Sequence, residues 1–463
     1  MKNNKGITLV ALVVTIVVLL ILAGVSINLV LGNNGIIAKA KDAKTKSAEA
    51  SENDLKGMNS LVSEMEGALA GNGGAGGSGA GTKVPEAATA ETAPYFPDNT
   101  FTKKEGTIDT GLVIQDANGN EYVWVVVPRT TAVYKTTGLG KTTFTDTDYT
   151  NIETDLKNYT STYVTEEGYS DTYAADTDNV GWFADATAYN NLKNSMLKSV
   201  YENGGFYVGR YEAGIETTGT NRTSDVEKNA DGKYTIEGMP TPVTKADAYP
   251  YTYVTRTQAQ NLASNVNSGT KTTSSLMFGV QWDLVLAFMS KDTAKIRSTE
   301  DLTQDSRTIG NYSDSTFQLS QTGKYATMSG GRLSSTWNPS TTATANFLDS
   351  SKNKLAQSDG NGILVTTGTS EKNKVMNIYD VAGNVWEWTL EKPSDTDEPC
   401  AYRGGQFNFT GSLYPTAYRN DTSTDWRPRQ RHRIPCFTFL GKLNARDEKF
   451  ETRGRNKNDN RKL

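Results

Sequence analysis

The stretch NIYDVAGNVWEWTLE, residues 377–391, carries oxygen donors at a spacing that could bind a metal ion. Asp380 precedes a Gly-Asn turn at Gly383, and Glu387 follows that turn between two tryptophans. Carboxylate and backbone carbonyl oxygens are hard donors of the kind that calcium prefers. From these residues alone, a simpler alternative is preferred, in which Asp380 and Glu387 only hold the loop by hydrogen bonds. The two tryptophans should lie on one face of a strand, with Glu387 on the other.

Further motifs stand in a fixed order around this stretch. AYRGGQFNF, residues 401–409, follows it, and GGFYVGRYEAG, residues 204–214, lies upstream and leads into Glu212. With these motifs, residues 111–425 resemble the formylglycine-generating enzyme (sulfatase-modifying factor) family. The resemblance implies a variant of the C-type-lectin fold. The expected fold class is α+β with much irregular structure, preceded by a single N-terminal transmembrane helix.

The same resemblance implies a calcium site on the loop. Its ligands would be the side chains of Asp380 and Glu387 and the backbone oxygens of Gly383 and Val385. Calcium is therefore the expected cofactor.

The oxidase chemistry of that family needs two cysteines shortly after the Arg-Gly-Gly strand, which bind copper and the substrate thiol. Residues 407–425 contain no cysteine, and the two cysteines of the chain, Cys400 and Cys436, match neither position. Soft-metal ligation and thiol exchange both require a thiolate. We therefore expect no copper and no catalytic residue, and we interpret the domain as a non-catalytic relative.

The segment after the Arg-Gly-Gly strand is rich in Tyr, Asn, Ser and Thr, as adaptable binding loops are. An ordinary polar loop is an equally compatible interpretation. The predicted ligand-binding residues are Asn408, Thr410, Ser412, Tyr414, Tyr418, Arg419, Asn420 and Asp421. The favoured function is a membrane-anchored bacterial cell-surface protein for ligand binding or adhesion, whose partner would be an extracellular glycan, peptide or protein.

Two alternative functions remain open. A pilin-like structural subunit of a surface filament is the first, and a formylglycine-generating oxidase, disfavoured by the missing cysteines, is the second. The formal net charge of −4 gives no reason to expect a nucleic-acid partner.

The elements that must position these residues are short. Residues 111–128 place Asn118 and Gly119 between two apolar alternating runs, which predicts a β-hairpin. The apolar spacing of residues 255–263 and 281–289 predicts two short helices. Residues 142–177 are polar and without periodicity, so loops are expected there.

The N-terminal part predicts a membrane anchor. Residues 7–31 are uncharged and long enough to cross a bilayer, and Lys2 and Lys5 before them place the N-terminus in the cytoplasm and the domain outside. KGITLVAL resembles a prepilin-type leader, although Ala11 stands where that family has a glutamate. Residues 1–31 are thus assigned to a leader and transmembrane helix, 32–70 to a helical stalk and 71–100 to a Gly-rich linker.

The chain ends differently from its body. Residues 101–425 form the expected domain, whereas 426–463 contain twelve Lys or Arg against four Asp or Glu. The domain would lack its closing strand, yet DWRPRQRHRIPC can be spelled so that the neighbouring reading frame encodes Asp-Ile-Gly-Phe-Arg, the closing strand of the family. We interpret the tail as frameshifted and disordered; a basic arm for anionic polymers is the competing interpretation.

Overall fold

The computed structural model describes residues 88–219, 221, 228–266, 272–316, 318–329, 332–340, 362–425 and 439–442. All of them belong to one compact unit, Gly79–Leu463. The α+β class is confirmed, with few helices and mostly small sheets. The helices are α1 (Asp146–Tyr159), α2 (Ala186–Asn203), α3 (Arg256–Asn265), α4 (Gly279–Met289) and α5 (Glu300–Thr303), with 3-10 turns at Ser161–Tyr163 and Glu371–Asn373.

The strands are short and pair antiparallel. In chain order they are β1 (Thr102–Glu105), β2 (Val113–Gln115), β3 (Glu121–Val126), β4 (Tyr169–Ser170), β5 (Gly205–Gly209), β6 (Gly214–Ile215), β7 (Tyr249–Pro250), β8 (Thr272–Ser275), β9 (Lys324–Ser329), β10 (Arg332–Leu333), β11 (Asn338–Pro339), β12 (Ile363–Val365), β13 (Lys374–Val375), β14 (Ile378–Tyr379), β15 (Glu387–Trp388), β16 (Lys392–Pro393), β17 (Cys400–Arg403), β18 (Arg419–Thr422) and β19 (Phe439–Lys442).

The largest sheet among the described residues has six strands in the order β1-β2-β3-β5-β19-β8. The predicted hairpin is confirmed, because β2 and β3 pair with Gln115 opposite Glu121. Gly119 in the connecting turn has a φ of +83°, which glycine adopts without a Cβ penalty. Smaller sheets carry the rest, and the one that bears on the candidate site has the order β15-β17-β18.

The sheet is closed by a strand from the segment interpreted as a disordered tail. β19 lies between β5 and β8, with Leu440 opposite both Tyr207 and Ser274. Sheet pairing uses backbone groups, so a segment that can extend fills this position without the sequence of the family's closing strand. The expectation that the domain lacks a closing strand is corrected accordingly. The other tail residues lie outside the described residues, and the frameshift stays a prediction.

The packed structure begins upstream of the expected boundary at residue 101. Tyr95 is buried and packs edge-on against Trp124, with 5.7 Å between ring centroids. The indole Nε1 of Trp124 donates to the hydroxyl of Thr92 at 2.8 Å. The C-terminal end of the predicted linker is therefore part of the domain, because it covers one face of the central sheet.

Two of the five helices among the described residues were expected, and α1, α2 and α5 were not. The predictions at 255–263 and 281–289 are confirmed by α3 and α4. α1 contradicts the prediction of loops over 142–177. It begins with a capping box in which Thr145 and Asp148 satisfy each other's backbone N–H, and it buries Ile152 and Leu156.

The prediction of a membrane-spanning helix is corrected. Among the described residues no helix is long and apolar enough to cross a membrane. α4 is buried on every side, but its 11 residues reach about half of the roughly 30 Å that a bilayer requires. The segment 7–31, on which the prediction rested, lies outside the described residues. We therefore drop the single-pass topology and the assignment to the membrane.

Candidate functional site

The turn before Trp386 is held in an unusual backbone conformation. Asp380, Gly383 and Asn384 have φ values of +59°, +72° and +54°. Non-glycine residues rarely adopt such angles, and the surrounding contacts must hold them there. The N–H of Asn384 donates to the carbonyl of Asn311 at 2.8 Å, and the N–H of Gly383 donates to the carbonyl of Gly404 at 2.6 Å.

The two carboxylates of the predicted calcium site are both buried but differ in their partners. Asp380 accepts hydrogen bonds from the N–H of Gly368 at 2.7 Å and from the amide of Asn373 at 3.1 Å. Glu387 is 0 % exposed, and neither of its oxygens has a hydrogen-bond partner among the described residues. Asp380 therefore holds a loop, as the simpler interpretation requires, whereas Glu387 does not.

A third carboxylate, Glu212, belongs to the same buried region and was absent from the predicted ligand set. Its Oε2 atom accepts from the amide of Asn384 at 2.9 Å, and its Oε1 atom has no partner within the described part of the chain. In the sequence, only the acidic residue that follows the strand part of the motif 204–214 pointed to Glu212.

The pKa values show the electrostatic cost of this arrangement. Burial, together with the charges of Glu212 and Asp380, raises the pKa of Glu387 well above its usual range. Burial and the charge of Asp380 do the same to the pKa of Glu212. Burial raises the pKa of Asp380 to about 6, against the two hydrogen bonds that it accepts. A bound cation would remove this cost.

The residues present fit a calcium ion by their chemistry. Buried oxygens without partners are what a hard cation would satisfy, and a hard cation accepts backbone carbonyls as well. Within the described ranges, no three Asp, Glu, His or Cys side chains are grouped closely enough to hold a metal ion. The predicted set, with two carboxylates and the backbone oxygens of Gly383 and Val385, does not require three such side chains.

A second set of buried charged side chains lies next to this region, and in this set two arginines pair with two carboxylates. Arg403 contacts Asp283 at 2.8 Å and Glu391 at 3.2 Å, and Arg419 contacts the same two carboxylates at 2.6 and 2.8 Å. We call these four side chains the charge quartet. All four are buried, and the sheet positions both arginines, because Arg403 in β17 lies opposite Arg419 in β18.

We assign the ionised form to all four side chains of the charge quartet. Burial favours the neutral form of Glu391, but attraction by Arg419 and Arg403 outweighs it and lowers the pKa of that carboxyl to about 2. Burial instead raises the pKa of Asp283 despite the same two guanidiniums. Because both oxygens of Asp283 lie within 2.8 Å of a guanidinium, we assign ion pairs to both carboxylates. Arg419, predicted to bind a ligand, is therefore a structural residue.

Four other predicted ligand-binding residues come together at the surface. Thr410 and Ser412 have their hydroxyls 3.3 Å apart, and the rings of Tyr414 and Tyr418 meet with centroids 4.9 Å apart. Both tyrosines are half-buried. Asp421 is also half-buried, as is Asn420, whose amide bonds to the hydroxyl of Tyr402, whereas Asn408 is buried.

The two tyrosines rest on the tryptophan of the motif. Trp386 is buried, and its ring centroid lies 5.0 Å from that of Tyr414 and 6.1 Å from that of Tyr418. Phe409 packs on the other side of Tyr414 at 5.0 Å, and Leu413 beside it is 52 % exposed. We call Phe409, Leu413, Tyr414 and Tyr418 the tyrosine patch. The sequence predicted the two tyrosines as ligand-binding residues but not the two apolar residues that precede them, Phe409 and Leu413.

Cys400 does not reach this surface. It is buried in β17, and burial raises the pKa of its thiol to about 12. Its thiol is therefore protonated at neutral pH. Cys436 lies outside the described residues.

No family model and no curated protein matches the chain. Among solved structures it is similar to PvdO from Pseudomonas aeruginosa at 13 % identity, over 52 % of this chain and 81 % of that chain, with a TM-score of 0.27. A TM-score this low does not establish a common fold, and the resemblance of the motifs stays a prediction.

Proposed function

We propose that this protein binds a glycan, peptide or protein ligand through the tyrosine patch, as a non-catalytic binding or adhesion protein. The observation that carries the proposal is the pair of half-buried tyrosine rings, Tyr414 and Tyr418, supported from beneath by Trp386. Tyrosines lose little conformational entropy on binding and offer an apolar face together with a hydroxyl. Tyrosine rings that are already packed in the free protein lose still less conformational entropy on binding.

The position of the tyrosine patch supports the same role. It follows β17 and precedes β18, and the charge quartet anchors both strands in the core through Arg403 and Arg419. A connection whose two ends are fixed presents its side chains in one geometry. Predefined geometry lowers the ordering cost of binding.

We also propose that calcium binds at Asp380 and Glu387, with backbone oxygens of Gly383 and Val385. A cation there would neutralise the buried negative charge of Asp380, before Trp386, and of Glu387, directly after it, and would thereby stabilise the support of the tyrosine patch. Its role would be structural, because none of these residues reaches the surface.

The oxidase alternative is disfavoured by the chemistry of the remaining thiol. Cys400 is buried, and its pKa of about 12 leaves too little thiolate for copper ligation or thiol exchange. The pilin-like alternative depends on residues outside the described part of the chain.

The test is binding by the full chain to printed glycan and peptide arrays, followed by titration of the strongest hit. The double variant Tyr414→Ala/Tyr418→Ala should weaken binding at least tenfold, and Tyr414→Phe/Tyr418→Phe should retain most of it. Tyr159→Ala, a half-buried tyrosine on α1, is the matched control and should bind as the wild type does. Equal binding by the double Ala variant and the wild type would refute the proposal.

A further inference from the structure

The helices α1 and α2, neither of which was predicted from the sequence, form a groove. Each contributes a stripe at positions i, i+3, i+4 and i+7, so that both stripes lie on single helix faces. The cavity between them has a volume of about 340 Å³, within the usual range of ligand sites. Its lining is Asp146, Tyr149, Thr150 and Glu153 from α1, and Thr187, Asn190, Asn191, Lys193 and Asn194 from α2.

The polarity of the groove is not explained by helix packing. Facing stripes of two neighbouring helices are ordinarily apolar, because they bury each other. Here the apolar residues lie elsewhere on the helices, with Ile152 and Leu156 buried on α1 and Met196 and Leu197 on α2. Two polar stripes therefore face a shared concavity.

The charges of Glu153 and Lys193 at the groove are already compensated, and Asp146 lies in the first turn of α1, where the helix dipole favours its charge. Lys193 lies 2.8 Å from one oxygen of Glu153, whose other oxygen pairs with Lys157 at 2.6 Å. Lys193 also donates to the backbone carbonyl of Asp171 at 2.8 Å. A charged ligand would have to compete with these ion pairs, so the groove favours an uncharged one.

The hydrogen-bonding groups are uncommitted. The side chains of Asn190, Asn191 and Asn194 make no hydrogen bond to any described residue, and each carboxamide offers both donors and an acceptor. Tyr149 forms one wall, and its ring stacks on Phe144 at 5.7 Å with an interplanar angle of 16°. The groove thus combines three carboxamides, each of which can donate and accept hydrogen bonds, with the ring of Tyr149, which Phe144 holds in place.

We propose that this groove binds an uncharged saccharide. Vicinal hydroxyls act as donor and acceptor at once, which matches a row of carboxamides, and the apolar face of a sugar ring matches an aromatic wall. The site is separate from the tyrosine patch and shares no residue with it. The inference therefore stands whether or not the tyrosine patch binds a ligand.

The test is a glycan array that carries neutral hexose and N-acetylhexosamine glycans beside sialylated ones, probed with the full chain. The wild type should retain neutral glycans, and the titrated affinity should fall at least tenfold in Asn190→Ala/Asn191→Ala/Asn194→Ala. Alanine favours helix more than asparagine does, so this variant should fold, which a thermal melt checks.

Two further variants separate the possible outcomes. Asn158→Ala changes an exposed asparagine of α1 outside the groove and should leave the affinity unchanged. Tyr414→Ala/Tyr418→Ala, titrated with the same neutral glycan, tells which of the two sites holds it. No retention of neutral glycans by the wild type, or equal affinity in the triple variant, would overturn the inference. Loss in the tyrosine variant alone would assign the glycan to the tyrosine patch and overturn it as well.

Discussion

The side-chain amide of Asn384 donates a hydrogen bond to the Oε2 atom of Glu212, 2.9 Å away and 172 positions earlier in the chain. This contact joins the turn before Trp386 to the segment after β5. It also brings Glu212 into the buried region of Asp380 and Glu387, where burial and the charge of Asp380 raise the pKa of Glu212, and burial with both other charges raises the pKa of Glu387.

Calcium should raise the thermal unfolding temperature of the full chain, and Glu387→Gln should abolish the increase. A ligand at about 100 times its Kd stabilises the folded state by about 2.7 kcal/mol. In the presence of a chelator, Glu387→Gln should instead be more stable than the wild type, because it removes a carboxyl group whose ionisation is disfavoured by burial. Glu237→Gln, at an exposed carboxylate, is the control and should keep the calcium shift. A wild type that does not respond to calcium would contradict the proposed site.

Arg403→Met should lower the free energy of unfolding by about 3–5 kcal/mol, since it leaves Asp283 and Glu391 buried with one arginine instead of two. Arg307→Met is the comparison, because Arg307 pairs with Asp305 at the surface and should cost less than about 1 kcal/mol. Chemical denaturation of both variants measures the difference. Similar losses would mean that the charge quartet does not hold the two strands.

Acid should weaken the fold through Glu391. The pKa of this carboxyl is about 2 in the folded chain and about 4.3 in an unfolded one, so the unfolded chain takes up the proton first as the pH falls. The stabilisation is present above about pH 4.3 and is lost as the pH falls through about 2. Urea unfolding between about pH 5 and 2 should show a shallower pH dependence in Glu391→Gln than in the wild type. Equal slopes would argue against this assignment.

Gly383→Ala should destabilise the domain by more than about 2 kcal/mol. A Cβ at Gly383 would overlap the carbonyl oxygen of Asn311, and its φ of +72° strains any other residue. Gly138→Ala separates the two effects, because Gly138 has a φ of +69° but open space around its Cβ position. Denaturation should give the smaller loss for Gly138→Ala. The reverse order would mean that the turn can move.

Local signals explain what was predictable from the sequence. The hairpin of β2 and β3 follows from Asn118 and Gly119, and α3 begins at a capping box in which Thr255 and Gln258 take part. α1 carried the same kind of signal in Thr145 and Asp148, but its polar surface concealed the period of Ile152 and Leu156. Apolar periodicity in the sequence does not reveal a helix whose exposed face lines a polar groove.

Long-range pairing explains what was not predictable. Arg403 meets Asp283 across 120 positions and Arg419 meets it across 136, so neither pair leaves a pattern in a short window. The composition around Arg419 therefore suggested a binding loop, although its side chain is buried. The burial of Glu387 without a hydrogen-bond partner among the described residues, and the position of Glu212 beside Asn384, also depend on the folded turn.

The place of β19 determines when the domain can fold. β5 is finished long before β19, and a ribosome that adds roughly 5–20 residues per second needs on the order of ten seconds or more to make the chain between them. During that interval the nascent chain exposes the unpaired edge of β5, and β8 has no neighbour on that side. The central sheet is therefore completed only after most of the chain has been synthesised.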